Sequence, residues 1–91
     1  MDIFEWDPEK AAANVRKHGI DFRDAVRVFS EFHFVYRSDR LDEERYVAVG
    51  PVDGRIIAVI WTPRESQVRR IISARRARNV EERDYRQSQS R

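Results

Sequence analysis

Cysteine is missing from this 91-residue chain, which excludes disulfides, a thiolate nucleophile and cysteine-ligated zinc. No apolar run approaches the roughly 20 residues that cross a bilayer, so no membrane span is expected. The first nine residues already carry Asp2, Glu5, Asp7 and Glu9, a pattern unlike any signal peptide. The expected location is therefore cytoplasmic. His18 and His33 are the only histidines and stand far apart, which gives no metal signal. No metal and no other cofactor are expected. Repeats and linkers are lacking too, and residues 1–91 are read as a single domain.

Hydrophobic residues make up 41% of the chain, although charged residues reach 37% and the mean hydropathy is −0.76. The apolar residues fall in short patterned runs, which argues for a core and against disorder. Charge is divided unevenly. Residues 1–54 hold 8 Lys/Arg against 12 Asp/Glu, a balance of −4; residues 55–91 hold 10 against 4, a balance of +6. All ten cations of that second part are arginine. A guanidinium offers phosphate a planar two-pronged fork where lysine offers a point charge, so the bias points to a phosphate-binding face.

Phe4-Glu5-Trp6 reads as a short extended start. Asp7 and Pro8 suit the N-cap and first turn of a helix over Glu9–Lys17, with Gly19 just past its end. Asp21 caps a second helix, with Asp24 three residues on and Ile20 placed to pack on Ala25. Its apolar face is Phe22, Ala25, Val26 and Phe29 at helical spacing. Four strands are expected at Phe32–Tyr36, Arg45–Gly50, Arg55–Trp61 and Val68–Ser73. Asp53-Gly54 signals a type I′ hairpin, and Ile56–Trp61 is placed as a central strand covered on both faces. Pro63–Ser66 forms the next turn. After Ser73 the chain reads as too charged for a strand. Asn79 with Glu82 suggests the cap of a last helix to about Gln87, and Ser88–Arg91 are expected to fray. The fold class is α+β: two N-terminal helices, an antiparallel sheet of about four strands with a short N-terminal strand, and a C-terminal helix.

Phe4-Glu5-Trp6-Asp7 with Lys10, Ala11 and Asn14, then Lys17-His18-Gly19, then Arg70-Ile71-Ile72-Ser73-Ala74-Arg75-Arg76-Ala77, together resemble the BrnT toxin family. The likeness runs from about Phe4 to Tyr85. It implies a fold similar to RelE-type toxins and an endoribonuclease that cleaves mRNA and stalls translation. It also implies a ribbon-helix-helix antitoxin similar to BrnA, in a hetero-oligomer that binds its own promoter DNA through the antitoxin. Two positions depart from the family's pattern. Arg69 stands where an apolar strand residue is expected, and Arg78 where a capping Thr or Ser is common.

Cleaving RNA without a metal requires a base for the 2′-hydroxyl proton, cations on the phosphate and an acid for the leaving oxygen. Five arginines fall between Arg69 and Arg78 with no acid among them. Arg70, Arg75 and Arg76 are read as the phosphate clamp; the alternative is an edge paired with Glu81, Glu82 and Asp84. His18 can serve as base or acid or simply as a favourable charge at a helix end. Glu44 and Arg45 open a strand where one of them can face the site, and Glu44 is carried as a catalytic candidate. Arg64, Arg69, Arg78, Lys17 and Tyr85 are candidates for binding RNA, with a core role open for Tyr85. His33, Trp6 and Phe4 are read as structural, and Trp61 as a core anchor with base stacking as its alternative. Two other functions stay open: a nucleic-acid-binding module without catalysis, and a regulatory domain that meets an acidic partner.

Overall fold

A computed structural model describes residues 2–90. The elements are β1 (Ile3–Glu5), α1 (Pro8–His18), α2 (Phe22–Ala25), β2 (Phe34–Arg37), β3 (Tyr46–Val52), β4 (Arg55–Pro63), β5 (Val68–Arg76) and α3 (Asn79–Gln89). The strands form one sheet in the order β1-β5-β4-β3-β2. Pairing is antiparallel from β2 through β5. β1 joins β5 in parallel, with Ile3 opposite Val68. Helices cover both faces.

The N-terminal boundaries follow local chemistry. The Asp7 carboxylate accepts from the Glu9 amide at 2.8 Å, Pro8 opens α1, and Gly19 closes it in a left-handed conformation. Asp21 caps α2 by accepting from the Arg23 amide. That helix is shorter than its apolar spacing predicts: after Ala25 the chain tightens into a 3-10 stretch, Val26–Ser30. The tighter winding still buries Phe22, Ala25 and Val28 completely. Each of the larger two contributes roughly 2 kcal/mol by its burial.

β4 is the middle strand, as its apolar run predicts, and alternation supplies a core to each side. Ile57 and Val59 face α1 and α2 with Ile71, Ala74 and Ala48. Ala58 packs the other way with Val47, Val49 and Tyr85 of α3. Phe4 stacks on Phe29 and Trp6 meets Phe22 edge-on, both against the first of these cores. The β3–β4 turn has positive φ at both Asp53 and Gly54, which is the type I′ geometry. At Gly50 a Cβ would lie 2.9 Å from Val28 Cγ2, so the 3-10 stretch reaches β3 only because that side chain is absent.

Several expected boundaries change. β3 runs over Tyr46–Val52 and not Arg45–Gly50, and β4 continues past Trp61 to Pro63. β2 begins at Phe34 and not Phe32. β5 continues past Ser73 to Arg76, because ladder bonds to β4 carry charged residues whose side chains reach the rims. The cap of α3 is Arg78, one residue before Asn79. There the Glu81 carboxylate accepts from the Arg78 amide at 2.8 Å, half of a capping box. α3 also runs on to Gln89, held at its end by Ser90, which donates from its amide and hydroxyl to the Arg86 carbonyl. Arg91 lies outside the described residues.

The β4–β5 ladder breaks register between Ile60 and Trp61: Ile60 pairs Ser73 while Trp61 pairs Ile71. Ile72 is the extra residue of a bulge. Ile71 and Ala74, three apart, therefore face the same core. Beyond Arg70, β5 has no neighbour on its β1 side. Buried Asn14 of α1 fills that place. Its amide donates to the Ala74 carbonyl and accepts from the Ala74 N–H, at 2.9 and 3.1 Å, as a paired strand would. It also donates to the Ile20 carbonyl, joining sheet, α1 and the following loop.

Candidate nucleic-acid interface

After the bulge, Arg75 pairs opposite Ala58 and so faces α3. Its guanidinium forks onto Glu81 in the first turn of α3, at 2.8 and 2.9 Å. The Tyr36 hydroxyl of β2 donates to the same carboxylate. Burial alone would raise the Glu81 pKa; the Arg75 fork, the Tyr36 hydroxyl and the Arg78 amide overcome it and hold the carboxyl at about 2. Tyr36 is pushed the opposite way, first by burial and then by the Glu81 carboxylate it touches. It remains a proton donor. Arg75 is raised by its bond to Glu81 and keeps its charge.

This cluster floors an open groove of about 280 Å³ lined by Tyr36, Ser38, Asp39, Arg40, Arg45, Val47, Ile60, Arg75 and Arg78. Arg45 directly precedes β3 and continues its alternation, which places it on the same side as Val47. Its Nε bonds to Glu43 at 2.7 Å, and Arg64 reaches the other oxygen of Glu43 at 3.9 Å. Asp39 accepts from Arg37 at 2.8 Å, a contact that lowers its pKa. The lining holds four arginines against one aspartate, and with Glu81 and Glu43, which bind Arg75 and Arg45, the balance stays positive at +1. Arg40 and Arg78 are exposed. Such a concave rim of guanidiniums suits a bent phosphate backbone, and the phenol adds a donor.

Residues 6–81 match the family model for the ribonuclease toxin BrnT of type II toxin–antitoxin systems. The chain belongs to the BrnT family. A crystal structure of the Brucella abortus ribonuclease toxin BrnT shares its fold, with a TM-score of 0.63 and 34% identity over 87% of this chain and 99% of that one. No curated protein matches. Family membership implies an antitoxin partner, and the matched stretch contains every residue lining the groove.

Within this BrnT-family fold the expected site residues divide. Arg75 and Arg78 come together in the groove, and Arg64 sits near its end through Glu43. Arg76 does not join Arg75: it pairs opposite Ile57 and points to the α1 side, exposed. Arg70 bonds to Glu5 of β1 at 2.8 Å, away from the groove. Arg69 is held between the rings of Phe29 and Trp61, 4.7 and 5.0 Å from their centres, and bridges Asp2. Its aliphatic stem and flat head thus take the place of the apolar residue expected there. His18 and Lys17 lie at the end of α1, in the other layer. Glu44 takes the Tyr46 hydroxyl on that layer's side, and its carbonyl accepts from Thr62. Tyr85 is 3% exposed and belongs to the core. Among the described residues, no His/Cys/Asp/Glu group is arranged to hold a metal ion, and no helix is long and apolar enough to cross a membrane.

Tyr36, Arg40 and Glu81 have no signal in the linear sequence as members of one site. They lie 45 positions apart at the extremes, and only the pairing of β2 with β3 and the seating of α3 join them. Arg45 had a signal: two residues before Val47, it shares the face of that buried strand residue.

Proposed function

We propose that the groove is the catalytic site of a metal-independent endoribonuclease that cleaves mRNA and so inhibits translation in the cytoplasm. Arg75, Arg45, Arg40 and Arg78 would hold the scissile phosphate and its neighbour. The 2′-oxygen gives its proton to water and attacks phosphorus, which makes a 2′,3′-cyclic phosphate and expels the 5′-oxygen; that oxygen leaves as a hydroxyl after taking a proton. Tyr36 can supply that proton. The negative charge that builds on the phosphorane is met by the Arg75 and Arg45 guanidiniums, which Glu81 and Glu43 already hold in place, the most effective kind of electrostatic stabilisation. The observation that carries this reading is the forked Arg75–Glu81 pair braced by Tyr36, at the floor of a four-arginine groove.

A ribbon-helix-helix antitoxin would neutralise the activity by covering this face, in a complex that binds its own promoter DNA through the antitoxin. The purified chain should cleave single-stranded RNA in the presence of EDTA, leave cyclic-phosphate ends, and spare DNA, which lacks the 2′-hydroxyl. Activity that vanishes with chelator and returns with magnesium would overturn the metal-independent mechanism. One observation favours a second reading, binding without catalysis. All three acidic groups at the groove, Glu81, Asp39 and Glu43, are engaged by arginines, and no histidine lines it. RNA that binds in the groove and survives intact would support that alternative.

A further inference from the structure

The strands β2 and β3 are joined by a turn in which Arg40 and Glu43 exchange backbone hydrogen bonds at 3.1 and 3.0 Å. Leu41 occupies the first of the two residues between them, with φ at +56°. Leucine rarely adopts that conformation, because its Cβ crowds the following carbonyl; glycine and asparagine take it readily. Leu41 is also 96% exposed, while among the described residues the next most exposed large apolar one is Phe32 at 49%. The turn is not loosely held. Ser38 donates to the Arg45 carbonyl at 2.8 Å, and the Asp39 carboxylate accepts from both Arg37 and the Arg45 amide. A well-anchored turn thus keeps a strained, solvent-facing leucine where a small or polar residue would be more stable. Strain of this sort gathers at functional sites.

Position says which function. Ser38, Asp39 and Arg40 form one wall of the arginine groove. Leu41 is the next residue, so its Cα lies about 3.8 Å from that of Arg40. We propose that Leu41 is the nucleobase contact of this groove, its side chain lying against the face of a base next to the bound phosphate. This rests on the groove's reading as an RNA site. Single strands are recognised through splayed bases packed on side chains beside phosphate contacts, and leucine is among the apolar residues that wedge between bases. A protein partner would require a contiguous apolar patch, and Leu41 stands between exposed Arg40 and Asp42.

The test uses the full chain with Leu41→Gly, Leu41→Asn and Leu41→Met. Binding is read by fluorescence anisotropy on a single-stranded 2′-O-methyl RNA, and cleavage on the matching unmodified RNA. Probes carrying one abasic site, moved along the strand, complete the set. Glycine and asparagine should leave the unfolding midpoint no lower than in the wild type, yet weaken RNA binding roughly tenfold. Methionine should keep wild-type affinity. With the abasic site at the contacted position, wild type and Leu41→Gly should bind equally. Wild-type affinity and cleavage in Leu41→Gly would overturn the inference while leaving the ribonuclease reading intact. Unchanged RNA binding with lost growth arrest would also overturn it, and assign Leu41 to a protein contact. A wild-type chain that neither binds nor cuts RNA would sink the ribonuclease reading, and this inference with it.

Discussion

Glu81 is an acid in the most basic corner of the chain, 3% exposed and contacted by three donors. Its carboxyl titrates at about 2, below the ordinary 4.5. Because the folded-state value is depressed, the stabilisation is complete above about pH 5 and is lost as pH falls toward 2. Its size is roughly 3 kcal/mol. Urea unfolding between pH 3 and 7 should therefore show falling stability on the acid side. Glu81→Gln should be less stable at pH 7 but flatter with pH. Equal slopes for the two proteins would place the acid sensitivity elsewhere. Arg75 makes the matching kinetic case. Arg75→Lys leaves a cation on Glu81, so the fold should hold, but the two-pronged geometry is lost. Cleavage should fall on the order of a hundredfold, with RNA affinity changed only a few-fold. A loss of rate that tracks lost affinity would make Arg75 a binding residue alone.

Asn14 shows what an element can require of one side chain. Its amide satisfies both the N–H and the carbonyl of Ala74 on the open side of β5. Asn14→Leu would keep the bulk and leave those two groups and the Ile20 carbonyl unpaired. A loss of about 2–4 kcal/mol is expected at neutral pH. Chemical unfolding will measure it, and a change under 1 kcal/mol would mean that water replaces the amide. Such elements were unevenly legible in the sequence. Aspartate caps, Pro8, Gly19 and the Asp53-Gly54 turn act locally, so α1 and the β3–β4 hairpin could be read directly. The 3-10 stretch after Ala25 could not, because three- and four-residue spacing share the same apolar face over so short a span. Arg69 misled for a related reason: its charge is plain in the sequence, whereas the two rings that enclose it come from the 3-10 stretch and from β4.

At the scale of the molecule, the basic character written across residues 55–91 resolves into several separate places. Arg70 is paired at the β1 edge, Arg69 is enclosed, and Arg76 lies on the far face. Arg40 and Arg45 enter the groove from the half of the chain that is net acidic. Charge counted along the sequence thus located the chemistry only in part. If RNA is held by the four groove arginines, affinity should fall with salt at a log–log slope near −3, about 0.7 per phosphate for a single strand. Anisotropy titrations across a range of KCl will give the slope. A value of about −5 or steeper would bring Arg70, Arg76 and Arg64 back into the binding surface.

The bulge at Ile72 has a consequence in terms of parity. Arg75 and Arg76 are chemically identical neighbours, and nothing in their own side chains decides which one meets Glu81. With a regular ladder beyond Ile71, the odd-numbered position would turn toward α1 and the even-numbered one toward the groove. One surplus residue reverses that assignment, so the choice between two equal arginines is made three positions upstream by backbone counting. Straightening the bulge with every residue kept would therefore act as a toggle, exchanging which guanidinium reaches the carboxylate, whereas deleting Ile72 removes the surplus and leaves Arg75 opposite Ala58.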